Sequence, residues 1–238
     1  MLSNNVILDP NLPRPSFSEL MANGFASIVS GYYPENDSAF QDYFVPFIQS
    51  AHSHGFTVIM MANRIDVNGV HRIAAADAIK EVKAGVDIIN FDEPFDELYN
   101  LQPSDLNAIM LLVLAVTPNM RFIINEWRED RIREAYQAFG ANGTVDVAED
   151  NYAQMDMISL NIQLAAAYHK EPYVWMRFIP RSGTINNSYL NLEAWINSGH
   201  ATPLWWSWKE FLCAGPEERE SHHSSGIGGR EKLLTNKA

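Results

Sequence analysis

The chain has 238 residues, of which 47% are hydrophobic and 19% charged, and a formal net charge of −12 at pH 7. This length suits one large domain with a sizeable core, because α/β barrels routinely reach it as a single unit. The acidic balance argues against nucleic acid or an anionic membrane surface as a main partner, since both require a basic footprint. The single cysteine, Cys213, excludes an intramolecular disulfide.

No apolar run approaches the roughly 20 residues that a membrane-spanning helix needs. The N-terminus, MLSNNVILDP, lacks the basic segment and the long apolar segment of a secretory signal. The sequence therefore predicts neither a membrane segment nor a signal peptide, with a cytoplasmic location as the default. The oligomeric state is left open.

Short apolar runs alternate with amphipathic stretches along most of the chain. Most runs are continuously apolar, which is typical of strands covered on both faces. Candidate helix caps such as Ser16 or Ser18, and glycines such as Gly55 and Gly85, stand where helices are expected to begin and end. The pattern predicts eight strands, at residues 5–9, 25–31, 56–63, 86–92, 121–127, 156–163, 173–179 and 202–208. It predicts helices at residues 16–24, 37–55, 72–85, 104–119, 128–143, 164–171 and 190–200.

Eight alternations of strand and helix in a chain of this length predict an α/β fold, a single (β/α)8 TIM barrel. A doubly wound open sheet is the alternative, but no glycine-rich phosphate loop follows the first strand. We assign residues 1–214 to the barrel domain. Residues 215–238 are polar and rich in glycine and serine, and we interpret them as a C-terminal tail.

The stretch GVDIINFDEPFDE, residues 85–97, begins as a buried strand and ends in acids. Active sites of barrels lie at the C-terminal ends of the strands, so Asp92 and Glu93 are candidate catalytic residues. Neighbouring strand residues point to opposite faces, so at most one of the two points into the barrel mouth. Glu126 ends the next predicted strand and is the candidate partner carboxylate. One carboxyl group would protonate a leaving oxygen and the other would activate water or attack directly.

Other polar and aromatic residues at predicted strand ends are candidate substrate-binding residues. Amide and guanidinium groups suit sugar hydroxyls or a sugar carboxylate, and flat indole faces stack on sugar rings. Each could equally serve as an ion-pair or core residue of the barrel. The candidates are Tyr32, Asn63, Arg64, Asn161, Gln163, Arg177, Trp206, Trp208 and Lys209.

Three short stretches resemble glycoside-hydrolase barrels. GVDIINFDEP is similar to the fourth strand of family 18 chitinases and endo-N-acetylglucosaminidases, and to the fourth strand of polygalactosaminidase-like, spherulin-like barrels. MDMISLNIQ resembles the sixth strand of the chitinases, and PLWWSW resembles their eighth. The chitinase spacing would set acids at positions 87, 90, 92 and 94, whereas this chain has Asn90 and Pro94, with Glu93 one place early.

The hypothesis that follows is an O-glycoside hydrolase acting on a carbohydrate or other small polar substrate. No H-E-x-x-H, C-x-x-C or G-x-S-x-G pattern occurs, so no cofactor and no histidine-based metal site are predicted. A Mg²⁺ or Ca²⁺ ion held by Asp66, Asp92 and Glu93 is left open. Two alternatives remain: a non-catalytic carbohydrate-binding barrel, and a lyase, aldolase or phosphodiesterase acting on an anionic substrate.

Overall fold

The computed structural model describes residues 3–6, 16–22, 25–30, 40–62, 64–67, 70–73, 75–95, 101–149, 155–177, 191–192 and 194–206. Eight parallel strands close into a barrel in the spatial order β1-β10-β9-β8-β7-β6-β3-β2. These strands are β1 (Ser3–Val6), β2 (Ser27–Ser30), β3 (Thr57–Met61), β6 (Ile88–Asp92), β7 (Arg121–Glu126), β8 (Val145–Glu149), β9 (Tyr173–Arg177) and β10 (Thr202–Trp206). The predicted (β/α)8 barrel is confirmed.

Helices cover the outside of the barrel, as the βα rhythm requires. They are α1 (Phe17–Ala22), α2 (Val45–Ser53), α3 (Ala75–Lys83), α4 (Pro103–Val116), α5 (Glu129–Phe139) and α6 (Met155–Ala167), with π-helical segments at Phe40–Phe44 and Ile196–His200. A two-stranded antiparallel hairpin, β4 (Arg64–Val67) and β5 (Val70–Ile73), follows β3. The hairpin was not predicted, and it delays the start of α3, which was expected at residue 72.

Local signals for helix ends are confirmed. The backbone amide of Glu19 donates to the Ser16 hydroxyl and the amide of Ser16 donates to the Glu19 carboxylate, which together form a capping box before α1. Gly55 and Gly85 adopt φ values of 81° and 104° just after α2 and α3. Side chains with a Cβ rarely adopt such angles, so both glycines end helices as predicted.

The predicted sixth strand is wrong. Residues 156–163 belong to helix α6, and the sixth barrel strand is β8, which the sequence reading placed in a connection. Ile158, Asn161 and Ala165 are the buried positions of α6, a spacing of three and four residues that only a helix brings to one face. The predicted short helix at 164–171 is the second half of α6. The predicted resemblance of MDMISLNIQ to the sixth strand of the chitinases is therefore wrong, because this stretch is helical.

Two separate clusters of buried apolar side chains distinguish the two faces of the sheet. The outer core lies between strands and helices, and includes Ile89 and Phe91 of β6 and Phe122 of β7. The inner cluster lies inside the barrel and is drawn from strands alone. It comprises Val29, Ile59, Met61, Ile88, Ile123, Ala148, Tyr173, Trp175 and Leu204. Membership of one cluster or the other shows which way each strand residue points.

Candidate functional site

Asp92 points into the barrel mouth. Ile88 belongs to the inner cluster, whereas Ile89 and Phe91 belong to the outer core. Strand alternation therefore directs Asn90 and Asp92 inward. Asp92 is the last residue of β6, at the C-terminal end where barrels carry their active sites, and it is half-buried.

An amide on the next strand holds the Asp92 carboxylate. Asn125 of β7 lies directly opposite Asp92 in the parallel register and points inward, two residues beyond Ile123 of the inner cluster. Its Nδ2 donates a hydrogen bond to Oδ1 of Asp92 across 2.7 Å. Asn125 is buried, so its amide has little freedom to turn away. The mouth therefore contains a carboxylate whose orientation is set by a neighbouring strand.

The chain bends sharply at Glu93. This residue has a φ of 48°, in the left-handed region that residues other than glycine seldom occupy. Its backbone amide donates to the carbonyl of Asn125 across 2.7 Å, which ties the bend to β7. The strand ends at Asp92, so the direction of the half-buried Glu93 side chain no longer follows the in-and-out alternation of β6. Residues with strained backbones persist only where the surrounding structure holds them in place, and they are often found at active sites.

Glu126 points the other way. Phe122 and Ile124, two and four residues before it, belong to the outer core, so alternation directs Glu126 outward from the barrel. Its Oε1 accepts the backbone N–H of Phe95 across 3.0 Å, and Glu126 is fully buried. Phe95 itself stacks on Phe139 of α5, outside the barrel. Glu126 therefore anchors the loop that follows Asp92 and Glu93, and its predicted role as the partner carboxylate in the mouth stays a prediction.

Asn161 and Gln163 do not lie at a strand end. Both belong to α6, where Gln163 is exposed and Asn161 is buried. Asn161 Oδ1 accepts the hydroxyl of Tyr136 across 2.9 Å, and its Nδ2 donates to the carbonyl of Tyr173 across 2.8 Å. These bonds join α5, α6 and β9 on the outer side of the barrel. The placement of the two residues at the mouth was wrong because the strand that would have carried them is a helix.

The remaining candidates are only partly visible. Tyr32, Asn63, Trp208 and Lys209 lie outside the described residues. The backbone of Arg64 begins the β4–β5 hairpin, whereas Arg177 and Trp206 end β9 and β10 at paired positions. Their roles in substrate binding remain predictions.

The sequence analysis assigned no role to the two inward amides, Asn90 and Asn125. Asn90 appeared there only as a departure from an acidic spacing. A signal was present, because Asn90 and Asp92 share one face of their strand. Recognising that this face is the inner one required the register between β6 and β7.

No metal site is built from the described side chains, since His, Cys, Asp and Glu form no group of three within reach of one ion. Asp66, one of the three ligands left open, has no described side chain. None of the helices in the described ranges is long and apolar enough to cross a membrane.

Comparison with known proteins finds likeness in structure alone. No protein-family model matches the chain, and no curated protein matches it. The catalytic module of a family 98 glycoside hydrolase from Streptococcus pneumoniae TIGR4, in complex with the H-disaccharide blood group antigen, aligns with a TM-score of 0.57 at 12% identity. The alignment covers 99% of this chain and 53% of that one.

Two further structures are similar. An apo-form candidate deoxyribose-phosphate aldolase from Toxoplasma gondii ME49 aligns with a TM-score of 0.56 at 15% identity, covering 94% of this chain and 93% of that one. An α-amylase from Lactobacillus plantarum aligns with a TM-score of 0.56 at 12% identity, covering 82% and 66%. Identities this low concern the fold, which hosts many unrelated chemistries. The chain is therefore an α/β protein with the (β/α)8 barrel fold.

Proposed function

We propose that the protein is a glycoside hydrolase in which Asp92 is the principal catalytic carboxylate. The observation that carries the proposal is the inward, half-buried Asp92 at the end of β6, held by the Asn125 amide. A carboxylate in a fixed orientation at this end of a barrel is suited to proton transfer at a glycosidic oxygen.

Hydrolysis needs two groups that handle protons. One carboxyl group protonates the leaving oxygen as the glycosidic C–O bond breaks, and a carboxylate takes the proton of the water that attacks the anomeric carbon. Asp92 serves as one of these groups. Glu93, at the bend directly after it, is the candidate for the second, because Glu126 is directed to the outer side of the sheet.

The described mouth favours a neutral substrate over an anionic one. Among the described inward-facing side chains, Arg121 is the one cation, and it lies at the opposite, N-terminal end of its strand. The lyase, aldolase or phosphodiesterase reading therefore depends on Arg64, Arg177 and Lys209, whose side chains are not among those described. Of the three similar structures, one is a glycoside hydrolase, one is an α-amylase and one is a candidate aldolase. The similar structures are therefore compatible with both the glycoside hydrolase hypothesis and the aldolase hypothesis.

A non-catalytic carbohydrate-binding barrel is the second candidate. The outward direction of Glu126 favours it, because Glu126 does not face Asp92 across the mouth as the predicted carboxylate pair requires.

Turnover by purified protein on a broad panel of p-nitrophenyl glycosides and oligosaccharides tests the proposal. Asp92→Asn is expected to lower kcat roughly 10²- to 10⁴-fold, the usual contribution of a general acid or base. Its melting temperature should change little, because an Asn side chain still accepts the Asn125 hydrogen bond.

Asp156→Asn is the matched control, since Asp156 is an exposed acid in the first turn of α6. Glu126→Gln separates the two roles of that residue: it keeps an oxygen that accepts the Phe95 amide, so nearly full activity is expected if Glu126 only anchors the loop. Full activity in both Asp92→Asn and Glu93→Gln would refute the mechanism. Sugar binding without turnover on the whole panel would establish the binding protein instead.

A further inference from the structure

Asn90 is a buried amide with no hydrogen-bond partner among the residues that the structure describes. It lies on β6, two residues before Asp92 and on the same inward face, so about 7 Å of strand separates the two. The side chain is fully buried, and neither Oδ1 nor Nδ2 makes a hydrogen bond. Buried side-chain amides are normally bonded, so an exception requires a physical reason.

The residues paired with Asn90 on the two neighbouring strands supply no partner. In the parallel register Asn90 lies between Met61 of β3 and Ile123 of β7, and both belong to the apolar inner cluster. Asn125, the described inward amide of the next strand, donates to Asp92. Asn90 is therefore flanked by hydrocarbon on both sides and has a donor and an acceptor directed into the barrel.

A second buried asparagine shows the ordinary arrangement. Asn161 is equally buried, and both ends of its amide are bonded, to Tyr136 and to the carbonyl of Tyr173. Asn161 joins secondary-structure elements, whereas Asn90 joins none. An apolar residue of similar volume at position 90 would pack against Met61 and Ile123 at less cost, so the amide is not there for stability.

We propose that Asn90 binds the substrate, and that its amide recognises one hydroxyl or hydroxymethyl group of a neutral sugar inserted past Asp92. The hydroxyl donates to Oδ1 of Asn90 and accepts from Nδ2, which uses both unbonded atoms. This assignment rests on the proposed function in so far as the ligand is a sugar, and it adds the residue that selects among sugars.

The surroundings define the group that fits. Full burial limits it to a small group, and the flanking Met61 and Ile123 side chains disfavour a charged one, because a charge there would lose its hydration without a counter-ion. An anion is further disfavoured by the Asp92 carboxylate on the same face. Sites built to bond a substrate hydroxyl reject analogues that lack it, since their own polar groups then stay unpaired.

Asn90→Leu and Asn161→Leu form the matched pair of variants. Melting temperature, turnover and calorimetric affinity are measured for wild type and both variants. The probes are glucose, galactose, mannose and xylose, their p-nitrophenyl glycosides, and deoxy analogues of whichever sugar binds. Asn90→Leu should melt at or above the wild-type temperature and bind the hydroxylated sugar about tenfold more weakly, the loss expected for one good hydrogen bond. The deoxy analogue that lacks the hydroxyl bound by Asn90 should bind to wild type and to Asn90→Leu with equal affinity. Asn161→Leu should melt lower and bind with unchanged affinity.

Each outcome decides one of the two proposals. Unchanged affinity and turnover in Asn90→Leu, or a lower melting temperature, would overturn the role of Asn90, the latter by showing a structural partner such as a fixed water molecule. The proposed function would still stand if Asp92→Asn lost turnover. Binding that depends on Asn90 with no turnover would keep this inference and reject the hydrolase. Failure of the wild type to bind any sugar of the panel would reject both.

Discussion

The two ends of the barrel interior use polar side chains differently. At the N-terminal end, Arg121 donates to Asp146 across 2.6 Å and to the Tyr173 hydroxyl across 3.3 Å. The Tyr173 hydroxyl donates in turn to Glu171, which also accepts the hydroxyl of Thr202. The bonds from Arg121 to Asp146 and to Tyr173 cross between strands, and the bond from Thr202 to Glu171 joins β10 to the segment before β9. It is a means of closing the base of the barrel.

At the C-terminal end the described polar side chains include one that is not bonded. Asp92 and Asn125 bond to each other, whereas the Asn90 amide beneath them has no hydrogen-bond partner among the described residues. Stability alone would favour apolar residues at this end, like those of the inner cluster between the two ends. The comparison teaches that the hydrogen bonds at the base are completed within the protein, whereas the buried, inward Asn90 keeps the unused donor and acceptor on which its proposed role in substrate binding rests.

Breaking the network at the base should have the largest effect on stability. Asp146→Ala leaves the guanidinium of Arg121 without its closest partner, and we expect the free energy of unfolding to fall by about 2 kcal/mol. This is less than a fully buried pair would lose, because the Arg121 side chain is 43% exposed to solvent.

Thermal denaturation checks this prediction, with a decrease of roughly 4–8 °C expected for a chain of this size. Affinity for any ligand of the mouth should be unaffected in the folded variant. Asp156→Ala is the control for loss of an acid as such. An unchanged melting temperature in Asp146→Ala would show that the base network contributes nothing measurable.

A second unbonded polar group, which lies outside the barrel, sharpens the comparison. Glu81 of α3 is fully buried, and neither carboxylate oxygen has a hydrogen-bond partner in the described part of the chain. Burial, with a smaller contribution from the charge of Asp77, raises the pKa of Glu81 well above 4.5. Glu81→Leu should therefore stabilise the protein by about 1–2 kcal/mol at neutral pH, since it removes an unsatisfied buried group, and it should leave the mouth unchanged.

The effect of Glu81 should depend on pH with a definite sign. The folded protein keeps the proton at pH values where the unfolded chain has lost it, so Glu81 lowers stability progressively as the pH rises above about 4.5. Urea denaturation from pH 4 to pH 8 should show the smallest difference between Glu81→Leu and wild type at the acid end, and a growing difference above it. A constant difference would contradict the raised pKa.

The smallest effect is expected at the bend of the mouth. Glu93 has a φ of 48°, which costs a residue with a Cβ about 1 kcal/mol relative to glycine. Glu93→Gly should thus be more stable than Glu93→Ala by roughly that amount, measured by urea denaturation. Both variants lack the carboxylate. If they are equally active, any loss of activity relative to wild type comes from the missing side chain, and if they differ, the backbone conformation contributes.

Much of the fold could be predicted because its signals are local. Seven of the eight barrel strands were located from apolar runs, and the ends of α1, α2 and α3 from a serine cap and two glycines. The error among the barrel strands fell at residues 145–163. There β8 is a five-residue strand that contains two acids, Asp146 and Glu149, while the following helix is so apolar that its sequence resembles a buried strand.

The site could be predicted only in part. The position of Asp92 at a strand end followed from the sequence, but its inward direction did not, and Glu126 looked equivalent to it. Both end apolar strands that lie side by side. One points into the mouth and the other to the outer core, because the inward parity of a strand is set by its register with neighbours on both sides.

By itself, then, the sequence determined the rhythm of strands and helices, the barrel that closes them, and the strand ends at which acids gather. Local hydrophobic period, helix caps and chain length are enough for that, since each acts within a few residues. Only the tertiary structure decided that Asp92 and Asn90 share the interior with Asn125 while Glu126 and Asn161 stabilise the outer layer. Those assignments depend on which face of each strand is enclosed, and that follows from contacts between residues far apart in the chain.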